Sequence, residues 1–547
     1  MSDQTSSFAR PVRGINRWIV LGGGVAAMVI FPIAVVFWLA LFPTENIWPH
    51  LLDTVLPRYA WNTAVVMLSV GAGTMVLGTG LAYLVTHHLF PGRGWLQYAL
   101  LAPLAVPGYV GAYALVDFLE YAGPVQTGLR DVFGWQTSRD YWFPQIRSMG
   151  SAIFVLTVTL YPYVYLLARA SFRALTAGGQ DVARSMGLSP FQRFWRVSVP
   201  LARAGIVAGT AVVMMETVND FGTVDFFAVQ TLTTGIFSVW LESYNTGGAA
   251  QLALCSLIVI AALAGVERSS RRRAEYANSA RQVKRIQPVA TRYGWICTVC
   301  CLLPFLLGFI APVSILIGTS EGFADMNKGF FSAFLNSFTL GALTAVFTLM
   351  LALLLVHGLR HRKSNGRRSS VLIRITGLGY AIPGAVLGLG VLIPLAALDR
   401  SVATIWSDLT GERLGLLLTG TGFALVFAYT VRFFAIAVGA AEAGYGAIPV
   451  SLSQVARSLG LGSGATLRRV FAPLMRGTVA SAMLLVFVDT VKELPATLLL
   501  RPFNFQTLAT YTYDQASLEN LAGAAPGALM IVALSLGAVL LLAKLNK

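Results

Sequence analysis

The sequence predicts an all-α polytopic membrane protein built as two parallel six-helix repeats. Hydrophobic residues make up 56% of the 547 positions and charged residues only 12%, whereas a soluble domain carries about 25% charged residues. Twelve apolar stretches are long enough to cross a bilayer, which takes roughly 20 helical residues. One basic segment occurs twice, once in each half of the chain, and lies between two such stretches each time.

The twelve predicted spans form two groups of six. Pro and Gly interrupt several of them, which membrane helices tolerate because neighbouring helices satisfy the freed backbone groups. The first span follows three Arg residues and is longer than the apolar region of a signal peptide, so we expect it to be retained. The spans cover residues 18–42, 60–86, 97–120, 150–170, 203–222, 248–267, 293–317, 335–357, 371–398, 415–437, 476–495 and 523–545.

The distribution of charge predicts the orientation. The formal net charge is +16. With the N-terminus threaded inside, most of the 40 Lys and Arg residues fall in loops on one side, and most acidic residues fall on the other. Basic loops favour the cytoplasmic side. We therefore expect a multi-pass membrane protein with both termini in the cytoplasm, whose basic loops contact lipid headgroups and not nucleic acid.

The duplicated segment divides the chain into two halves. Residues 181–203 read DVARSMGLSPFQRFWRVSVPLAR, residues 454–476 read QVARSLGLGSGATLRRVFAPLMR, and eleven of the 23 aligned positions are identical. Further repeated pairs are Asn62-Thr63 with Asn336-Ser337 and Val106-Pro107-Gly108 with Ile382-Pro383-Gly384. Both halves run in the same direction, because each has an even number of spans. The predicted units are a first half at 1–267, a cytoplasmic basic linker at 268–292 and a second half at 293–547. The motif loop lies at about 178–203 in the first half and at about 451–476 in the second.

The sequence contains no motif for nucleotide binding or catalysis. The phosphate-binding pattern G-x-x-x-x-G-K-[ST] is absent, as are H-E-x-x-H and G-x-S-x-G. The five His are scattered, and Cys297 and Cys300 are most simply interpreted as small residues of a span, so no metal site and no bound cofactor is predicted. We expect a transport subunit and not an enzyme, with any ATP bound by another chain.

The duplicated segments resemble the EAA motif of bacterial ATP-binding-cassette importer permeases, approximately E-A-A-x-x-x-G followed about ten residues later by I-x-L-P. Asp181-Val-Ala-Arg-Ser-Met-Gly187 precedes Val197-x-Val-Pro200, and Gln454-Val-Ala-Arg-Ser-Leu-Gly460 precedes Val470-x-Ala-Pro473. The Ala, Gly and Pro positions match. The Glu position is Asp in one copy and Gln in the other, and the middle Ala is Val in both.

The whole chain further resembles fused twelve-span permeases for ferric-iron uptake, on residues 215–225, 233–237 and 491–504. The resemblance implies alternating access, a periplasmic binding protein that delivers the substrate, and two copies of a cassette ATPase. Each motif would form a short coupling helix in a groove of the ATPase, and its Gly would suit a helix end with positive φ. The residues assigned to coupling are Asp181, Val182, Ala183, Arg184, Gly187, Gln454, Val455, Ala456, Arg457 and Gly460.

Charged residues follow each motif in the next span. Glu216 and Asp220 are four residues apart and are expected on one helical face. A carboxylate within the bilayer costs about 2.5–3.5 kcal/mol, so we expect these groups to face a polar cavity or a partner. An acidic pathway would attract cations, and ferric iron prefers oxygen ligands. The predicted pathway residues are Glu216, Asn219, Asp220, Asp489, Lys492 and Glu493. The alternative interpretation is structural, with Lys492 paired to a carboxylate that fixes helix packing, and with Asp220 and Glu493 at the outer headgroups.

Other functions remain open at this stage. Related importer permeases carry thiamine, polyamines, phosphonates or sulfate. An ion-coupled secondary transporter can also have two six-span halves, but it would leave the duplicated motif unexplained. A membrane-embedded enzyme would need polar catalytic residues clustered at one membrane interface, and the sequence contains no such cluster.

Overall fold

The computed structural model describes residues 17–174, 183, 185–275, 287–288, 291–320, 328–360, 376, 379, 382–446 and 448–545. Within these ranges the regular secondary structure is helical apart from one pair of two-residue strands, which confirms the all-α prediction. Among the described residues, ten helices are long and apolar enough to cross a membrane. Two further helix pairs, bent by 89° and 80°, raise the number to twelve if each pair is one span, which is the number predicted.

The first half alternates long helices with short ones. The strand β1 (His88–Leu89) pairs in parallel with β2 (Gln287–Pro288), which belongs to the predicted linker region. The helices are α1 (Arg17–Leu41), α2 (Trp48–Thr54), α3 (Leu56–His87), α4 (Arg93–Ala99), α5 (Gly108–Leu119), α6 (Pro124–Phe133), α7 (Met149–Ala174), α8 (Pro190–Arg193), α9 (Val199–Asn219), α10 (Gly222–Phe226), α11 (Leu232–Phe237) and α12 (Thr246–Glu275).

The second half follows the same order. The helix that carries Glu216 in the first half (α9) and the helix that carries Asp489 in the second half (α21, Arg476–Val491) are called the pathway helices. A π-helical turn, Leu467–Phe471, lies between the motif loop and α21, and the turn Phe194–Ser198 lies at the same position before α9. The helices are α13 (Thr291–Phe305), α14 (Ala311–Thr319), α15 (Lys328–Arg360), α16 (Gly384–Thr410), α17 (Phe423–Gly446), α18 (Val450–Ser458), α19 (Ser463–Thr466), α20 (Ala472–Leu474), α21 (Arg476–Val491), α22 (Pro495–Leu500), α23 (Leu508–Ser517) and α24 (Leu521–Leu545).

The repeated Pro-Gly pairs mark where a helix begins. Pro107 has ψ 146° and Pro383 has ψ 143°, so both are extended and stand immediately before α5 and α16. The predicted span 97–120 is therefore a bent pair of helices, and α16 begins at Gly384 within the predicted span 371–398, of which residues 371–375, 377–378 and 380–381 lie outside the described residues. Proline cannot donate the backbone hydrogen bond that would continue a preceding helix.

The two halves interlock through their first spans. Helix α1 of the first half packs against α15 and α16 of the second, and α14 of the second half packs against α5 of the first. Gly390 allows α1 to pack closely on α16, because a Cβ on Gly390 would meet the backbone of Pro32. Gly308, just before α14, faces the carbonyl oxygen of Val158 in the same way. Each half therefore depends on the other for part of its core.

The repeated Asn-Thr pair of the first half holds the start of α11. The side-chain amide of Asn62 donates to the carbonyl oxygen of Gln230 (2.8 Å), and the hydroxyl of Thr63 accepts from the backbone N–H of Leu232 (2.9 Å). Helix α3 thereby fixes the loop that follows the pathway helix.

The second half repeats both bonds with its Asn-Ser pair. Asn336 donates to the carbonyl oxygen of Gln506 (2.9 Å), and Ser337 accepts from the backbone N–H of Leu508 (2.7 Å). Ser337 is buried. The repeated Asn-Thr and Asn-Ser pairs therefore make the same two hydrogen bonds in each half, and each pair forms a joint between a long helix and the start of a short one.

We predict that Ser337→Ala destabilises the protein by about 1–3 kcal/mol, because it leaves the buried N–H of Leu508 without an acceptor. The midpoint of thermal unfolding of the purified protein reports this loss. Ser337→Thr keeps the acceptor and matches the first half, so it should unfold near the wild-type midpoint. Ser401→Ala, which removes an exposed hydroxyl bonded only to its own helix, is the control. Equal midpoints for Ser337→Ala and Ser401→Ala would contradict the proposed joint.

Candidate transport pathway

A cavity of about 150 Å³ lies between the two halves. Its walls come from residues 104–109, 156–163 and 216–222 of the first half and from residues 432–433 and 489–495 of the second. The structure therefore brings together two groups that occupy equivalent positions in the two repeats and lie far apart in sequence. All six predicted pathway residues line this cavity, namely Glu216, Asn219, Asp220, Asp489, Lys492 and Glu493.

Asp220 caps a short helix of the first half. Its Oδ1 accepts from the backbone N–H groups of Thr223 (3.0 Å) and Val224 (3.1 Å), and its Oδ2 accepts from the Thr223 hydroxyl (2.8 Å). A carboxylate at this position satisfies N–H groups that have no partner within α10. The expectation that Asp220 continues the helical face of Glu216 is wrong, because α9 ends at Asn219 and Asp220 is extended.

Glu493 does the same in the second half. Its Oε1 accepts from the backbone N–H of Ala496 (3.2 Å), and its Oε2 accepts from the N–H (3.2 Å) and the hydroxyl (3.1 Å) of Thr497. Glu493 also stands beyond the pathway helix, because α21 ends at Val491. Both carboxylates thus have a structural task in addition to their place on the cavity wall.

The Pro-Gly pairs leave room for these carboxylates. A Cβ on Gly108 would lie 2.5 Å from the Thr223 hydroxyl and 3.4 Å from Oδ2 of Asp220. A Cβ on Gly384 would meet the Arg432 guanidinium and the Glu493 carboxylate. Only glycine allows the start of α5 and of α16 to approach the capped turns so closely.

Two ion pairs of the second half lie on the cavity wall. Nη1 of Arg432 lies 3.0 Å from Oε1 of Glu493, and the two side chains are 12% and 3% exposed. Nζ of Lys492 lies 2.9 Å from Oδ1 of Asp489. Arg432 is not among the residues predicted from the sequence, although a single Arg within the apolar stretch of α17 is the signal that could have identified it. At the equivalent position of the repeat the first half has Thr159, which also lines the cavity.

The charge of the cavity is unequal between the halves. The first half contributes Glu216 and Asp220 and no basic residue, while the second contributes two carboxylates together with Lys492 and Arg432. Four carboxylates against two basic groups give a formal charge of two negative. The lining therefore favours a positively charged ion over an anion.

Two buried polar groups of the lining have no hydrogen-bond partner. The amide oxygen of Asn219 and the hydroxyl of Tyr109 both lack one, and the two residues are each 5% exposed. Tyr163, the middle residue of the tyrosine cluster 161–165, also lines the cavity. Within the described ranges no group of three or more His, Cys, Asp or Glu side chains is arranged to hold a metal ion.

The first motif loop exposes an apolar side chain next to a left-handed glycine. Gly187 has φ +77°, as predicted for a helix end, and the N–H of Leu188 bonds back to the carbonyl oxygen of Ala183 (3.2 Å). Ala183 is buried, whereas Met186 is 73% exposed. Three of the residues assigned to coupling lie outside the described residues, namely Asp181, Val182 and Arg184.

The second motif loop has the same geometry. Gly460 has φ +74°, and the N–H of Leu461 bonds back to the carbonyl oxygen of Ala456 (3.0 Å). Ala456 is buried, while Val455 and Leu459 are exposed. Gln454 is exposed as well, and Arg457 lies on α18. The two loops therefore expose one equivalent pair of apolar side chains, Met186 and Leu459, beside equivalent turns.

Contacts across the halves also occur outside the cavity. The hydroxyl of Tyr513 donates to Oδ2 of Asp225 (2.8 Å), and Arg147 forms ion pairs with Glu120 of its own half (3.1 Å) and Glu519 of the other (3.4 Å). The contact between Tyr513 and Asp225 joins the segments that follow α9 and α21, whereas Arg147 reaches Glu519 from the loop that precedes α7. Both contacts must rearrange if the halves move apart at this end.

Comparisons with known proteins point to one family. A family model described as binding-protein-dependent transport system inner membrane component matches residues 74–276. The chain is 30% identical over 497 residues to the Fe(3+)-transport system permease protein FbpB 2 of Haemophilus influenzae, a match that covers 88% of this chain and 89% of that protein.

Two further relatives match about half of this chain or less. The molybdenum transport system permease protein ModB of Escherichia coli is 24% identical over 213 residues, which is 37% of this chain and 90% of that protein. The sulfate transport system permease protein CysW of Escherichia coli is 26% identical over 270 residues, which is 46% of this chain and 88% of that protein. The relatives therefore include permeases named for Fe(3+), for molybdenum and for sulfate.

We predict that Arg432→Met destabilises the protein by about 3–5 kcal/mol, because it leaves the buried Glu493 carboxylate without its counter-ion. The double variant Arg432→Met/Glu493→Gln removes both charges and keeps an oxygen acceptor for the cap, so it should recover most of the loss. Thermal unfolding midpoints of the single and double variants measure the coupling. Equal losses in the two variants would show that the ion pair does not govern stability here.

Proposed function

This chain belongs to the family of binding-protein-dependent transport system inner membrane components, and we propose that it imports ferric iron. It is a multi-pass inner membrane permease of an ATP-binding-cassette importer and not an enzyme. In the proposed assembly a periplasmic binding protein delivers the ion, two ATPase subunits bind ATP, and both termini of the permease face the cytoplasm.

The negative cavity carries the proposal of a cationic substrate. A formal charge of two negative between the halves repels molybdate and sulfate, although permeases for both are among the relatives. Carboxylate, amide and phenol oxygens are ligands that a hard trivalent cation prefers. The relative named for Fe(3+) also matches both halves of this chain, which supports iron over the cationic organic substrates thiamine and polyamine.

The path from the motif to the cavity supports the proposed mechanism. In the first half one helical stretch runs from Pro190 to Asn219, so it begins just after Gly187 and ends beside Glu216 and Asp220. A push on the motif loop by an ATPase subunit would therefore move the cavity wall directly. In the second half the corresponding stretch bends by 80° after α20.

Transport by the reconstituted complex tests the proposed substrate. The permease, its ATPase and a periplasmic ferric-binding protein are placed in liposomes, and ATP-dependent uptake of radiolabelled iron, molybdate and sulfate is compared. We expect uptake of iron alone. Glu216→Ala together with Asp489→Ala should lower iron uptake by about tenfold or more, since the formal charge of the cavity falls to zero.

The same double variant should still co-purify with the ATPase, because both residues lie far along the helices from the motif loops. Uptake of molybdate or sulfate in place of iron would refute the proposed substrate. Unchanged iron uptake in the double variant would leave these carboxylates with a structural role only. Iron uptake without any ATPase would refute the proposed importer mechanism.

We further predict that Gly187→Asp together with Gly460→Asp abolishes association with the ATPase. Both glycines have a positive φ that a residue with a side chain adopts at a cost of about 1 kcal/mol, and the new carboxylates stand beside the exposed apolar side chains. Co-purification with the ATPase measures the effect. Gly462→Asp adds the same charge two residues away, where φ is not left-handed, and should retain the ATPase. Full retention by the double variant would contradict the assignment of the motif loops to coupling.

A further inference from the structure

Lys492 interacts with equivalent carboxylates from the two halves. Glu216 and Asp489 occupy the same position in the repeat, and both line the cavity. Nζ of Lys492 lies 2.9 Å from Oδ1 of Asp489 and also interacts electrostatically with Glu216. The ammonium group therefore pairs with Asp489 of its own half and lies close enough to Glu216 of the other half to be attracted by its charge.

The repeat position of Lys492 in the first half is Asn219, whose amide oxygen has no hydrogen-bond partner. Asn219 is 5% exposed and lines the same cavity. The hydroxyl of Tyr109 shares this condition. Buried polar atoms in native proteins nearly always have a partner. The oxygens of Asn219 and Tyr109 are therefore available as electron-pair donors to a ligand that enters this cavity.

We propose that the Lys492 ammonium is a tethered stand-in for the transported cation. It occupies the position shared by Glu216 and Asp489 while the cavity is empty of cargo. A multivalent, oxygen-preferring cation displaces it and gains the oxygens of Asn219 and Tyr109 as ligands. This inference rests on the proposed import of a cation and adds how the cavity accepts and releases it.

The charges explain why such a stand-in is useful. Without Lys492 the cavity would hold four carboxylates against Arg432 alone, and like charges at short range strongly disfavour one another in a medium of low dielectric constant. A lysine side chain has a flexible stem and a compact charge, so it can withdraw and return. Because the ammonium competes with the cargo, the cation binds weakly enough to leave, which conduction requires.

The repeat itself supplies the matched variants. Lys492→Asn places the first-half residue in both halves, and Asn219→Lys places an ammonium in both. Terbium(III) is a trivalent, oxygen-preferring probe whose luminescence is sensitised by nearby tyrosines, such as Tyr109 and Tyr163. Its dissociation constant is measured on the purified full-length permease in lipid nanodiscs.

We expect Lys492→Asn to bind terbium(III) about tenfold or more tightly than the wild type, which corresponds to about 1.4 kcal/mol. Asn219→Lys should bind it about tenfold or more weakly. Adding Glu216→Gln to Lys492→Asn should remove the gain, which separates binding in the cavity from binding to surface carboxylates. If Lys492→Asn does not fold, Lys492→Met provides the same test.

Iron uptake by the reconstituted complex separates this inference from the proposed function. We expect Lys492→Asn to lower both the KM and the maximal rate of uptake, because the cation is no longer displaced. Failure of the wild type to import iron would refute the proposed function. Import by the wild type, together with a terbium(III) dissociation constant that Lys492→Asn and Lys492→Met leave unchanged, would overturn the inference and reduce Lys492 to a helix-packing ion pair.

Discussion

A carboxylate that caps a short helix is the interaction on which the cavity depends. Asp220 and Glu493 each end a pathway helix and satisfy the first N–H groups of the next helix. A charged group between membrane-spanning helices is retained only where hydrogen bonds or an opposite charge satisfy it. The same group therefore fixes the turn, requires a glycine opposite it at Gly108 or Gly384, and places negative charge on the cavity wall.

The halves share this architecture but not its charge. In the first half the capping carboxylate is bonded to neutral donors, and Thr159 stands where the second half has Arg432. In the second half the cap carries the ion pair with Arg432, and Lys492 replaces the amide of the first half. The two halves are encoded in one chain, so a residue in one half can be substituted while the residue at the equivalent position of the other half stays the same. This allows the two halves to carry different charged residues. The outcome is a cavity that is symmetric in backbone and asymmetric in electrostatics.

Interlocking of the halves constrains how the cavity can open. Because α1 packs on the second half and α14 packs on the first, the halves cannot separate as independent blocks. Movement must instead rearrange the contacts around the pathway helices. The polar contacts between Tyr513 and Asp225 and between Arg147 and Glu519 join the two halves. The motif loops lie at the opposite end of the helical stretch that leads to the cavity.

The sequence by itself determined the class of fold, the number of spans, the repeat and the motif loops with their left-handed glycines, because hydrophobic length and repeated residues are local properties of the chain. The sequence also identified six of the residues that line the cavity, namely Glu216, Asn219, Asp220, Asp489, Lys492 and Glu493. The tertiary structure decided what the residues do there. Arg432 was missed because its partner lies 61 positions away, and the repeated Asn-Thr and Asn-Ser pairs gained meaning only when their bonds to a distant loop were seen. Contacts between residues far apart in sequence depend on how helices pack, and no local pattern encodes that packing.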